Sequence, residues 1–232
     1  MADFFGFEIK RKGNEEPIRP SFVPDTEEDG SGVIQAGGHF GAYLDLDGDK
    51  AKNEVDLIFK YRDIAAQPET DAAIEDIVNE SIVGDNDESP VNIILDKLEI
   101  SDKIKDSVKD EFDKVLQLLN FNSYAHDIFR KWYVDGRLPY HIIIDDKSPK
   151  NGIKELRYID PTMLRKVKEI EEEKDTKTGA MVITKQEEYF LFQDNKMNAS
   201  GQGIKIHPDA ICYATSGMLD PTRKRILSYL HK

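Results

Sequence analysis

The chain has 232 residues, with 32 Lys and Arg against 45 Asp and Glu, a net charge of −13. That length is enough for one large or two small domains with a real core, and the acidic balance argues against a broad DNA-gripping surface, though not against a local basic patch. The single cysteine, Cys212, rules out an internal disulfide framework and fits a reducing cytoplasm. No run approaches the ~18 consecutive apolar residues of a membrane span, and Met1 to Lys12 lacks the apolar core of a signal peptide.

Residues 1–52 are rich in Gly, Pro and acids, as in Glu27-Glu28-Asp29-Gly30-Ser31-Gly32, with little periodic apolar content, which predicts a flexible, disordered arm. Within it Phe4, Phe5, Phe7 and Ile9, followed by Lys10, Arg11 and Lys12, fit either a short amphipathic anchor or a tail with some aromatics. From Asn53, a plausible N-cap, Leu57, Ile58, Tyr61, Ile64 and Ala65 mark one face of a helix. Pro68 opens the next helix, where Ile74, Ile77, Val78, Ser81 and Ile82 share a face and Gly84 is the stop. An acidic turn from Asp85 to Pro90 leads into Val91 to Leu95, an expected strand. Ser101 then caps a longer helix whose buried face is expected to be Ile104, Val108, Phe112, Val115, Leu116 and Leu119.

The densest pattern follows, from Tyr124 to Pro161. Ala125, Ile128, Phe129, Trp132 and Tyr133 recur at helical spacing, and Asp135-Gly136 ends the helix because Gly takes a left-handed cap at little cost. Ile142-Ile143-Ile144 is a continuous apolar run, expected of a strand buried on both faces. Ser148 to Gly152 is a turn cluster, and Leu156 and Tyr158 alternate with Glu155 and Arg157 on a second strand. The chain's only Trp lies in this block, which marks it as the core nucleus.

After Asp160-Pro161, Lys166 to Glu172 fits a strand, although its Glu content also suits a helix. Lys177-Thr178-Gly179 supports a hairpin turn into Met181 to Thr184, and Glu188 to Phe192, Ile204 to Ile206 and Ile211 to Ala214 are further strands around a polar loop from Asn195 to Gly203. Pro221 opens a last helix with Ile226, Leu227 and Leu230 on one side. That helix has no stop signal before Lys232, so the chain looks truncated. The fold class expected is α+β: N-terminal helices packed on a mainly antiparallel sheet built from roughly residues 91–214.

Phe129-Arg130-Lys131-Trp132-Tyr133-Val134-Asp135, then Gly152-Ile153-Lys154-Glu155-Leu156-Arg157, then Ile159-Asp160-Pro161, resemble the portal (head–tail connector) proteins of contractile-tailed bacteriophages. The resemblance covers word order and spacing over about the last three quarters of the chain, and residues 1–52 show no match. It implies that Trp132, Tyr133, Asp135, Gly136, Leu156, Asp160 and Pro161 are the family-motif and core positions. After the arm over 1–52, read from composition alone, it implies a wing-like domain over 53–220 and the start of a helix over 221–232 that leads to a stem and clip beyond Lys232. The implied role is structural, without enzyme activity: a dodecameric homo-oligomeric ring at one capsid vertex, part of the virion. Such a ring nucleates head assembly with capsid and scaffold proteins, holds the terminase packaging motor, passes DNA without sequence preference, and joins the tail and neck.

The residues themselves supply no catalytic or cofactor signature. Asp45, Asp47, Gly48 and Glu54 match positions 3, 5, 6 and 12 of a calcium loop, but position 1 falls on Tyr43, so an acidic turn entering a helix is the simpler reading. The five histidines (His39, His126, His141, His207 and His231) lack paired ligand spacing, which leaves no zinc motif. Gly201-Gln202-Gly203 lacks the Lys-Ser/Thr of a phosphate loop, and no G-x-S-x-G elbow occurs. Glu171-Glu172-Glu173 fits a solvated surface run. The alternative from another class is a carboxylate- and metal-dependent hydrolase or nuclease, which needs two acids within reach of a metal in a cleft. Two basic clusters are candidate interface residues. Arg130-Lys131 lies opposite the apolar helix face, where it would pair with acids of a neighbouring subunit or solubilise the helix. Arg223-Lys224-Arg225 would sit in the first turns of the last helix, a poor place for cations, which hints at an acidic partner or phosphate.

Overall fold

The structure, a computed structural model, describes residues 3–4, 7–8, 32–35, 48–83, 90–145, 147–176, 179–193, 203–221 and 225–231. Four helices form its helical layer: α1 (Gly48–Ala65), α2 (Pro68–Ser81), α3 (Asp102–Leu118) and α4 (Phe121–Asp135). Period-3.6 apolar spacing puts Tyr61 and Ala65 of α1, Ile74 and Val78 of α2 and Val134 of α4 in one buried cluster, with Leu57, Ile82, Phe129, Tyr133 and Leu230 packed around it. Pro68 opens α2 as expected, since a first-turn proline gives up only an N–H that has no helical partner.

The strands are β1 (Asp3–Phe4), β2 (Phe7–Glu8), β3 (Gly32–Gln35), β4 (Arg137–Ile144), β5 (Ile153–Tyr158), β6 (Leu164–Lys174), β7 (Met181–Phe192), β8 (Ile204–Ile206) and β9 (Ile211–Thr215). β1 and β2 pair with each other. The rest divide into two sheets, ordered β5-β4-β9 and β3-β6-β7-β8, so the α+β class holds with its strands in two main sheets rather than one. All pairings are antiparallel except β3 on β6, where Val33 lies beside Lys168. The two sheets meet at Leu164, Phe190 and Ile211, with Ile159, Phe192 and Tyr213 around them. The segment 166–172, open between helix and strand in sequence, is strand: Val167 pairs with Tyr189 and is fully buried.

Several expectations are corrected. α1 already begins at Gly48, so Asn53 is inside the helix rather than its cap, and β3 lies within residues 1–52. The pairing of β3 joins residues more than a hundred positions apart, which no local pattern reports. Val91 to Leu95 forms no strand. The β4 isoleucines are only half-buried, and Ile144 is exposed; the buried part of β4 is Arg137, Leu138 and Pro139. α3 has no buried residue, although its apolar stripe is where the spacing placed it.

The largest correction concerns the end of the chain. Residues 225–231 are not helical. Leu219 bridges Ile226 antiparallel, Asp220 N donates to Arg225 O at 3.0 Å, and Leu227 N donates to Met218 O at 2.9 Å. The segment then lies as a strap across the end of α4, with Ile226 and Ser228 fully buried. Tertiary hydrogen bonds replace helical ones: the buried Arg137 donates through Nη2 to Ile226 O at 2.7 Å, and Ser228 Oγ donates to Tyr133 O at 3.1 Å. The inference of truncation from a running helix loses its basis. The aromatic tail signal, the acidic turn at 85–89, Asp45 and Asp47 of the calcium-like loop, and the side chains of Arg223 and Lys224 lie outside the described residues.

Candidate functional site

The motif residues converge on one charged corner. α4 ends at Asp135, and Gly136 caps it at φ +70°. A side chain at that glycine would strain the backbone, and its Cβ would lie 2.5 Å from Leu227 O of the strap, so both conformation and space require Gly. The other half of the corner is the link from β5 to β6. Ile159 N donates to Pro139 O at 3.1 Å, and Pro161 is buried. Asp160 accepts from Thr162 N at 2.9 Å and Thr162 Oγ1 at 2.7 Å, a tight Asp turn between the two sheets.

Arg62 of α1 ties the halves together. Its Nε and Nη2 donate to the two carboxylate oxygens of Asp135 at 2.9 and 2.7 Å, and Nη1 and Nη2 donate to Asp160 at 3.1 and 3.2 Å. A guanidinium fork suits this double grip, which an ammonium cannot reproduce. Asp135 is almost wholly buried at 4% side-chain exposure, while Arg62 and Asp160 are about one third exposed. The hydrogen bonds to Asp135 raise the Arg62 proton affinity, burial opposes them, and the bonds to Asp160 add to the rise. Burial pushes the Asp160 carboxyl up, but the bonds from Arg62 and Thr162 outweigh it and hold the group below its ordinary range. Tyr158 is raised well above its usual value, first by burial and then by the Asp160 and Asp135 carboxylates. Lys131 Nζ lies 4.8 Å from the centre of its ring.

These groups border an open cavity of about 390 Å3 lined by Arg62, Ala65, Arg130, Lys131, Tyr158 and Asp160 among others. Its cations are engaged within the chain. Arg130 bonds Asp71 at 2.5 Å and Glu75 at 3.0 Å of α2, and Lys131 bonds Asp127 at 2.6 Å. Arg225 pairs with the buried Asp220 at 3.1 Å. The motif carboxylates Asp135 and Asp160 both face the Arg62 guanidinium, and among the described residues no group of three or more His, Cys, Asp or Glu is placed to hold a metal. Chemically the corner is a clamp: it holds the β5–β6 link, the end of α4 and α1 in one geometry.

Trp132 and Tyr133 are half-buried rather than central, which corrects the expectation of a Trp-centred core. They receive the strap: Tyr229 stacks on Tyr133 with centroids 5.0 Å apart and lies 5.2 Å from Trp132. Leu156 is half-buried on β5, opposite Ile142 of β4. Three participants were not singled out from the sequence: Arg62, Arg137 and Ser228. Arg137 donates through Nη1 to Glu54 at 2.9 Å, and its Nε has no hydrogen-bond partner among the described residues. The only signal for Arg62 is position: it follows the buried Tyr61 on a helix and precedes a solvent-facing Asp63.

A family model described as "Bacteriophage T4-like portal protein (Gp20)" matches residues 54–232, which takes in the clamp, both main sheets except β3, and the strap. The chain belongs to the T4-like phage portal protein family. Two relatives named portal protein agree with this. That of Salmonella phage ViI is 38% identical over 144 residues, 62% of this chain and 26% of the relative. That of Vibrio phage KVP40 is 38% identical over 173 residues, 71% of this chain and 33% of the relative. The chain thus spans about a quarter to a third of the length of the curated relatives it matches. Membership of this family points to a structural virion component. Among the described residues no helix is long and apolar enough to cross a membrane.

Proposed function

We propose that this chain is the wing-like part of a portal subunit, and that copies of the whole subunit close into a dodecameric ring at one capsid vertex. The single observation that carries the reading is the family match over residues 54–232. In this role the ring nucleates head assembly, docks the terminase motor, lets DNA pass during packaging and ejection, and later joins neck and tail. The subunit acts by shape and assembly, with no cofactor and no reaction of its own. Residues 53–220 would be the wing, with stem and clip contributed by sequence beyond Lys232.

The physical chemistry supports the reading. A conduit must not grip its cargo, and each phosphate neutralised by Lys or Arg adds affinity that would brake DNA. The net charge of −13 disfavours phosphate binding, and Arg62, Arg130, Lys131 and Arg225 are paired within the chain. A ring subunit also needs a stiff body, because heterologous contacts close only at one rotation angle. The Arg62 clamp stiffens the junction between helices and sheets. Like-charge repulsion between copies is strongest at low salt, where the Debye length reaches ~30 Å at 0.01 M. The test is sedimentation of residues 1–232 and of a form extended past Lys232, at low and moderate salt. The expected result is a monomer or weak oligomer for the first and a closed ring for the second; a monomeric extended form would overturn the ring.

A further inference from the structure

One stretch of the chain has a strand-forming sequence and, among the described residues, no strand to pair with. Val91-Asn92-Ile93-Ile94-Leu95 is rich in β-branched and aliphatic residues, the composition that favours a pleated, half-buried strand. Yet Val91 to Ile94 make no backbone hydrogen bond among the described residues, and Leu95 O accepts only a turn bond from Leu98 N at 3.1 Å. Leu95 alone is buried in this stretch, while Ile94 is 78% exposed.

The exposure continues along the chain. Leu98 is 50% exposed, Ile100 36% and Ile104, in the first turn of α3, 43%. Four large aliphatic side chains within eleven residues thus face outward, next to a helix with an apolar stripe and no buried residue. Scattered exposed aliphatics are ordinary, but a run of this kind marks an interaction surface. Unpaired backbone N–H and C=O groups beside it are a template for adding a strand from another chain.

Charge favours a second copy as the occupant. Across the whole chain the excess of acids is 13, so most approaches between copies are repulsive. α3 instead carries four lysines (Lys103, Lys105, Lys109 and Lys114) against five acids (Asp102, Asp106, Asp110, Glu111 and Asp113). Both signs alternate along it, so the same helix offers cations to a neighbour's acids and acids to a neighbour's cations. A strongly basic partner would be better served elsewhere on this acidic protein.

We propose that Val91–Leu95 and the exposed apolar side of α3 form a docking surface for a second copy of this chain, on which Val91–Leu95 gains strand pairing. This deepens the ring reading and rests on it. The test uses the extended form, unchanged and with Ile94→Asp plus Leu98→Asp, with Ile94→Val as the conservative control. Both changed residues are exposed, so the thermal midpoint of the isolated subunit should stay within the narrow range of surface substitutions. The expected result is at least about a tenfold loss of ring relative to subunit for the double substitution and none for Ile94→Val. Amide hydrogen exchange of residues 91–95 should be at least about tenfold slower in the ring than in the isolated subunit. A ring that forms normally with the double substitution, or amides 91–95 that exchange equally fast in ring and subunit, would overturn the docking surface and leave the ring reading standing. Failure of the unchanged protein to form any ring would instead remove the ring reading, and this surface with it.

Discussion

α4 and α3 are neighbouring helices with equally clear apolar stripes, and they end up in opposite situations. α4 ends in the clamp: Asp135 is held by Arg62, Gly136 admits the strap, and Val134 is in the core. α3 leaves its stripe half-covered, and its leading segment is unpaired among the described residues. Periodicity reports which side of a helix is apolar, but not whether the same chain supplies something to cover it. For a subunit of an assembly, the uncovered side is the informative one.

Breaking the clamp should have the largest effect. Arg62→Ala leaves the buried Asp135 without its cation; losing one partner of a fully buried pair costs about 3–5 kcal/mol, and with Arg62 one third exposed about 2–3 kcal/mol is expected. Denaturant unfolding should show that loss; a change below ~1 kcal/mol would mean the pair contributes little. Gly136→Ala should follow, at about 1–3 kcal/mol from left-handed strain alone, with more from displacing the strap at Leu227. Its signature is specific: proteolysis should begin in residues 219–231 before α1 or α2 is cut.

Trp132→Ala sharpens the comparison because the tryptophan is only half-buried. A fully buried aromatic truncation costs ~3–5 kcal/mol, so about 2 kcal/mol is expected here, less than Ile74→Ala at the centre of the helical core. A Trp132 loss larger than that of Ile74 would restore the Trp-centred core.

The acid response is smaller and has a definite sign. Because the folded Asp160 carboxyl sits below its ordinary value, its contribution is fully present above the unfolded value of ~3.9 and is lost as pH falls through the folded value. Stability should therefore decline below about pH 4, and Asp160→Asn should flatten that part of the curve. An unchanged acid limb would show that Asp160 titrates alike in both states. At the far end, Ile104→Ser on α3 should change subunit stability by no more than ~0.5 kcal/mol, since little in the chain packs on it. A loss above 1 kcal/mol would place that position inside the subunit core instead.

Much of this was legible in the residues because it is local. Apolar spacing located α1, α2 and α4, Pro68 marked the start of α2, and Asp135-Gly136 marked the end of α4. The word order from Phe129 to Pro161 was enough to suggest the family, and with it Asp135, Gly136, Asp160 and Pro161 as positions that matter. What that order could not state was why they matter, since their partner Arg62 lies 73 residues from Asp135 and 98 from Asp160. Three outcomes were decided by tertiary structure alone. β3 became a strand by pairing with β6, Val91–Leu95 pairs with no strand among the described residues, and the strap gave up its helical pattern. The reason is the same in each case. A strand or a chain end has no hydrogen-bonding partner of its own making, so its conformation follows whichever distant groups reach it: the carbonyl of Ile226 accepts from the buried Arg137, and the carbonyl of Tyr133 accepts from Ser228.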